Sequence, residues 1–288
     1  MATSVFPGYI KWLGVALALG GLLLFIFLTP GDVLRKFDYV GAAVCHRRPS
    51  HSFTMAERQL PLCQRCSGTF PGALVGVLVH WVLLRRRRAM GYPAWPMLVF
   101  FGACAAFWGL DGINSTTSDG QFYALLSHLI NRPESVGILG YTPQPWLRLA
   151  SGALMGMSMS AILVPAFNQT MWADAEDKRA LRSWHELGLL VALELLLAAI
   201  IYLLEPSSSP VFMVMVSILQ VAGVLTMFIL LGAMLFTLFL RRDMQLRRWR
   251  DAWVPMVWGF VFALAVVSVM DILRLQITGT IDGVPGSP

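Results

Sequence analysis

The sequence predicts an all-α, polytopic membrane protein of about seven spanning helices, with the N-terminus cytoplasmic and the C-terminus outside. Three observations predict it. Of the 288 residues, 57% are hydrophobic and only 13% are charged, against about a quarter charged in soluble domains. The apolar residues gather into runs long enough to cross a bilayer, which takes about 20 residues. The Lys and Arg residues then fall mainly on one side of the implied topology.

The seven runs cover 9–29, 67–84, 94–113, 149–167, 187–204, 211–240 and 252–273. In lipid every backbone amide needs a partner within its own segment, so runs of this length must be helical. The first is too long for a signal-peptide core and lacks a small-residue cleavage site, so it is expected to be retained. The sixth exceeds what a bilayer requires and is expected to tilt or to project beyond the inner face.

Orientation follows from the basic clusters. Arg85 to Arg88 end the second run, Lys178, Arg179 and Arg182 lie between the fourth and fifth, and Arg241, Arg242, Arg247, Arg248 and Arg250 between the sixth and seventh. With the N-terminus inside, all three clusters are cytoplasmic. The inner side then holds 13 Lys and Arg against 6 Asp and Glu, the outer side 9 against 9, and Glu194 within the fifth run completes the net charge of +6. The basic character therefore reflects topology in a cell (cytoplasmic) membrane. A nucleic-acid partner is a poor reading, because the basic residues are juxtamembrane and no binding module is visible.

Two connections on the outer side exceed 30 residues, 30–66 and 114–148, and loops of that length carry function or structure of their own. In the first, Val33, Leu34, Phe37, Val40 and Val44 recur at helical spacing. They predict an amphipathic interfacial helix capped by Asp32, with Cys45 and His46 at its end. In the second, 122–130 suits another interfacial helix, and Trp146 marks the return to the headgroup level. The tail after Thr278 is rich in Gly and Pro and is expected to be disordered. Gly68, Gly72 and Gly76 on the second helix and Gly152 and Gly156 on the fourth form two ridges spaced by four. Such ridges allow close backbone approach, and pairing them would join the outer ends of these helices.

The chemistry-bearing residues concentrate in the first outer loop. Cys45, Cys63 and Cys66 lie there, while Cys104 sits mid-helix and is read as packing. A Cys-x-x-Cys pair sets two sulfurs on one side of a tight turn, which suits tetrahedral metal ligation or a redox disulfide. With Cys45, and with His46 or alternatively His51, the set becomes Cys₃His. Zinc is the default metal for such ligands, and another transition metal is the alternative. An oxidising outer face instead favours thiol pairing. That admits a membrane thiol-disulfide oxidoreductase coupled to quinone, or a structural disulfide with one spare thiol.

On the same face stand Asp111, at the end of the third helix, and Arg148, at the start of the fourth. They read either as an ion pair or as catalytic groups, a base or metal ligand and an anion binder. Arg47, Arg48, Arg58 and Arg65 add positive charge, which would suit anionic lipid or a phosphate-bearing small molecule. Glu194 and His80 lie in one membrane half and admit a structural lock or a proton path.

The string Cys45-His46, Ser52-Phe53, Gln59-x-Pro61-Leu62-Cys63-x-Arg65-Cys66-x-Gly68, followed by Asp111-Gly112 and Leu147-Arg148-x-x-x-Gly152, resembles the prokaryotic membrane family known as domain of unknown function 2085. The resemblance covers about 40–157 and implies that the cysteines, His46, Asp111 and Arg148 belong together. It implies no particular activity. It divides the chain into 1–39, the first span and the start of the outer helix; 40–157, the family-like core; and 158–288, an extension carrying the last three spans. A non-catalytic subunit of a larger membrane complex, with that extension as its interface, is a further reading. Whether the chain is an enzyme is left open by its residues.

Overall fold

In the computed structural model, residues 5–117 and 136–283 are described. They form eight helices. Seven are long and apolar enough to cross a membrane: α1 (Gly8–Leu28), α3 (Gln64–Leu78, a span that continues through its widened turns to Leu83), α4 (Trp95–Thr117), α5 (Pro145–Met171), α6 (Trp184–Leu204), α7 (Pro210–Phe239) and α8 (Trp253–Thr278). The eighth, α2 (Val33–Ala42), is the amphipathic helix of the first long loop. Asp32 caps it, accepting from the Arg35 N–H at 2.7 Å, as its position before the apolar repeat requires. It does more than lie at an interface, because Asp38, Tyr39, Val40, Gly41 and Ala42 are all buried. The stretch 122–130 lies outside the described residues.

The glycine ridges of α3 and α5 interlock. A Cβ on Gly68 would stand 2.1 Å from the Leu149 carbonyl oxygen, one on Gly152 2.1 Å from that of Arg65, and one on Gly156 2.2 Å from that of Thr69. Only hydrogen fits at these crossings, so the two backbones touch. The third ridge glycine serves a side chain: a Cβ on Gly76 would strike Ser160 Oγ. Past Leu78 the turns of α3 widen over Val79–Leu83, where the Leu84 N–H reaches back five residues to Val79 O at 2.9 Å.

The three basic clusters meet at one end of the bundle. There β3 (Ala89–Gly91) pairs in parallel with β4 (Glu176–Arg179). Arg88 binds Asp174 and donates to the Arg247 carbonyl at 2.7 Å. Phe6 is buried there with Trp172 and Leu246, so the N-terminal end of α1 lies at this basic end. The opposite end holds α2, a hairpin of β1 (Ser52–Met55) and β2 (Arg58–Cys63), and the start of α3.

Two expectations are corrected. The start of the C-terminal tail is packed: Ile281 is buried with Tyr39 and Ala42, and Asp282 takes two hydrogen bonds from Arg35, each 2.6 Å. His80 and Glu194 do not pair. His80 Nδ1 bonds the Gly76 carbonyl at 2.7 Å, one turn back on its own helix. Glu194 is fully buried against Gly72 with neither oxygen hydrogen-bonded. Asp271 on α8 is a second buried carboxyl, 5% exposed.

Candidate metal centre

Three segments deliver the three cysteines. The turn after α2 carries Cys45, the last residue of β2 is Cys63, and Cys66 sits in the first turn of α3. Their sulfurs all lie within 4.8 Å of one another, and all three are free thiols. The hairpin sets the register, because Ser52 pairs with Cys63 where β2 hands the chain directly to α3. Its turn, Ala56 and Glu57, has both residues at positive φ, 46° and 61°. This is the geometry that Asn-Gly usually supplies.

Backbone amides point at the first sulfur. Cys45 Sγ accepts from the Cys63 N–H at 3.2 Å and from the Arg47 N–H at 3.4 Å. Arg47 achieves this in the left-handed region, φ 53°. Burial raises the Cys45 thiol. Hydrogen bonds from Cys63 and Cys66, together with His46, outweigh burial and hold it well below the usual thiol range. Hydrogen bonding to Cys45 pushes Cys63 up to about 12.

A frame of charge holds the loop. Arg47, 2% exposed, pairs with Asp38 at 2.9 Å, and Arg58 binds the same carboxyl at 2.7 Å. Arg274 of α8 donates to the carbonyls of Ala42, Cys45 and His46. Gln220 of α7, fully buried, accepts from the Leu62 N–H at 3.2 Å and donates to Ser67 Oγ at 2.8 Å. Gln59 donates to the Arg47 carbonyl at 2.8 Å.

His46 lies beside Cys45 but outside the sulfur cluster, with its Nε2 3.4 Å from His51 Nδ1. Asp111 and Arg148 flank the start of α3 without pairing. The ion partner of Asp111 is Arg65, at 2.5 Å, and the Tyr141 hydroxyl donates to its other oxygen at 2.7 Å. Arg148 donates to Ser115 Oγ and Gln64 Oε1, each at 3.1 Å. The cause is helical phase: Arg65, between the two cysteines of the motif, points from α3 towards α4. Of the four loop arginines expected to attract an anion, Arg47, Arg58 and Arg65 are thus already matched by carboxylates.

Sequence reasoning missed Arg274, Gln220 and the buried role of Asp38. Arg274 had a signal, a charge one turn beyond Asp271 at the end of an apolar run. Gln220 within a 30-residue apolar helix had the same one.

Residues 45–162 match a family model described as predicted membrane protein (DUF2085), a segment that begins at Cys45 and extends into α5. No curated protein and no solved structure matches the chain.

Proposed function

We propose, for a chain whose residues 45–162 match the DUF2085 family of predicted membrane proteins, that Cys45, Cys63 and Cys66 form a zinc-type metal centre. The convergence of Cys45, from the turn after α2, on the Cys63 and Cys66 pair at the β2–α3 junction carries this reading. Tetrahedral zinc, with bonds of about 2.3 Å to sulfur, sets its thiolates about 3.8 Å apart. The sulfurs need move little to meet that spacing. The two N–H groups aimed at Cys45 Sγ stabilise a thiolate.

His46 is the fourth ligand in this reading, with His51 as the alternative. A ligating imidazole is usually held through its other ring nitrogen, and the His46–His51 contact supplies such a hold. Bound there, zinc supplies a fixed crosslink, and Lewis acidity where a position is open to water. Asp111 and Arg148 belong to the polar frame around α3 in this reading, since each is engaged by protein groups. The centre faces away from the basic clusters, so the positive-inside tendency assigns it to the non-cytoplasmic face of the cytoplasmic membrane.

A quinone-coupled thiol oxidoreductase needs a sulfur that a partner can reach. Cys45 and Cys63 are 5% and 2% exposed, and buried thiols exchange poorly; Cys66 is half-buried and is the one sulfur of the three that this alternative could use. The test is element-resolved metal analysis of the anaerobically purified protein beside Cys63→Ser, with thiols counted after denaturation. The expected result is one metal ion per wild-type chain and its loss from the variant. Equal metal in both overturns the reading. Two missing thiols without metal favour the redox alternative.

A further inference from the structure

Between α1 and α8, on the half of the bundle nearer the cysteines, lies a groove of about 820 Å³. The two helices close on each other at Gly14, where a Cβ would meet the Trp258 ring at 2.7 Å. Further along, a Cβ on Gly20 meets nothing within 4 Å, and the groove opens there. Its walls are apolar, with Leu17, Leu24, Phe25 and Leu264 among them, until Asp271.

Asp271 is 5% exposed, and neither carboxyl oxygen has a hydrogen-bond partner. Its charged neighbour one turn on, Arg274, donates instead to the carbonyls of Ala42, Cys45 and His46. A buried carboxyl without a donor is costly. A lipid chain lying in the groove would fill it and leave that cost in place.

We propose that this groove binds a neutral, lipid-soluble molecule bearing a hydroxyl group, which donates to the Asp271 carboxyl while its apolar body lies along α1 and α8. The volume suits a ligand of drug size or one folded chain. A hydroxyl satisfies the carboxyl without carrying a second charge into an apolar cleft, which an ammonium group would do. The head lies beside Tyr39 and one helical turn from the arginine that holds the Cys45 loop. The proposal stands independently of what the cysteines bind. Two sources share its chemistry, a membrane quinol and a hydroxyl-bearing acylglycerol.

The test uses the full chain in nanodiscs. A short-chain benzoquinol and dioctanoylglycerol are each compared with their methyl ethers, which keep the body and remove the donor. At least one free-hydroxyl probe should bind about tenfold or more tightly than its ether, as the loss of one hydrogen bond to a carboxyl implies. Asp271→Leu should erase that ratio, and Gly20→Phe, which fills the groove, should weaken both members of the pair. Whichever probe shows the preference identifies the source. Equal binding of hydroxyl and ether by the wild type overturns the proposal, as does a preference that survives Asp271→Leu. Should Asp271→Leu fail to fold, the wild-type comparison and Gly20→Phe decide it.

Discussion

Arg47 and Arg58 share one carboxyl, that of Asp38, from opposite sides of the burial boundary. Arg47 approaches at 2.9 Å with a side chain 2% exposed, and Arg58 at 2.7 Å with one 31% exposed. Similar distances should yield different energies. Removing the buried partner leaves the Asp38 carboxyl to partly exposed arginines and empties the space that the Arg47 side chain fills, at a cost of about 1–3 kcal/mol. Removing the outer one gives up a water-screened pair, worth about 0–1 kcal/mol. Thermal unfolding in detergent of Arg47→Ala and Arg58→Ala checks this. In the proposed metal centre, Arg47→Ala should also quicken metal release, because the Arg47–Asp38 pair holds the left-handed turn whose N–H reaches Cys45 Sγ.

Tyr141 gives a pH signature for the polar cluster beside α3. Burial, then the hydrogen bond to Asp111, pushes its hydroxyl from 10.0 up to about 12. The raised folded value means the folded chain keeps this proton after the unfolded chain has lost it. The contribution to stability is therefore complete below about pH 10 and is lost as pH rises towards about 12. Difference absorbance of phenolate, wild type minus Tyr141→Phe, should place the midpoint near the upper value. Asp111→Asn should draw it down.

Gln220 ties α7 to the turn between Leu62 and Ser67. Gln220→Leu leaves a buried N–H and a buried hydroxyl without this partner, and should cost about 1–3 kcal/mol. Because those bonds brace the segment carrying Cys63 and Cys66, metal loss to a chelator should quicken, where a purely global effect would change only the melting temperature. Measuring both on one preparation separates the two.

The spans were legible because a bilayer leaves an apolar run few alternatives. The glycine ridges were legible as pattern, and the structure supplies their pairing. The hairpin was not, since Ala56-Glu57 carries none of the Gly or Asn that mark such a turn. The partner of Asp111 was misjudged for a related reason. Arg65 and Arg148 stand equally near the helix ends in the sequence, and only the rotation of α3 about its axis decides which one reaches α4. The frame behind the cysteines was hidden because Gln220 and Arg274 come from spans more than 150 residues further along the chain.

The crossing of α3 and α5 offers the sharpest contrast among glycines. At Gly68 a methyl group would collide with the Leu149 oxygen at 2.1 Å and the Ala153 nitrogen at 2.6 Å, both backbone atoms that cannot rotate away. At Gly102, on the open side of α4, a methyl group meets nothing within 4 Å. Gly68→Ala must therefore push apart a pair of helices whose contact positions Cys66 and Arg65. Overpacking of this kind costs about 1–3 kcal/mol or more. Gly102→Ala should be neutral or stabilising by up to about 1 kcal/mol, through helix propensity alone. Detergent unfolding of the two variants, with metal content read on the same samples, should show metal falling only in Gly68→Ala. Equal stability in both would mean that the ridges do not touch.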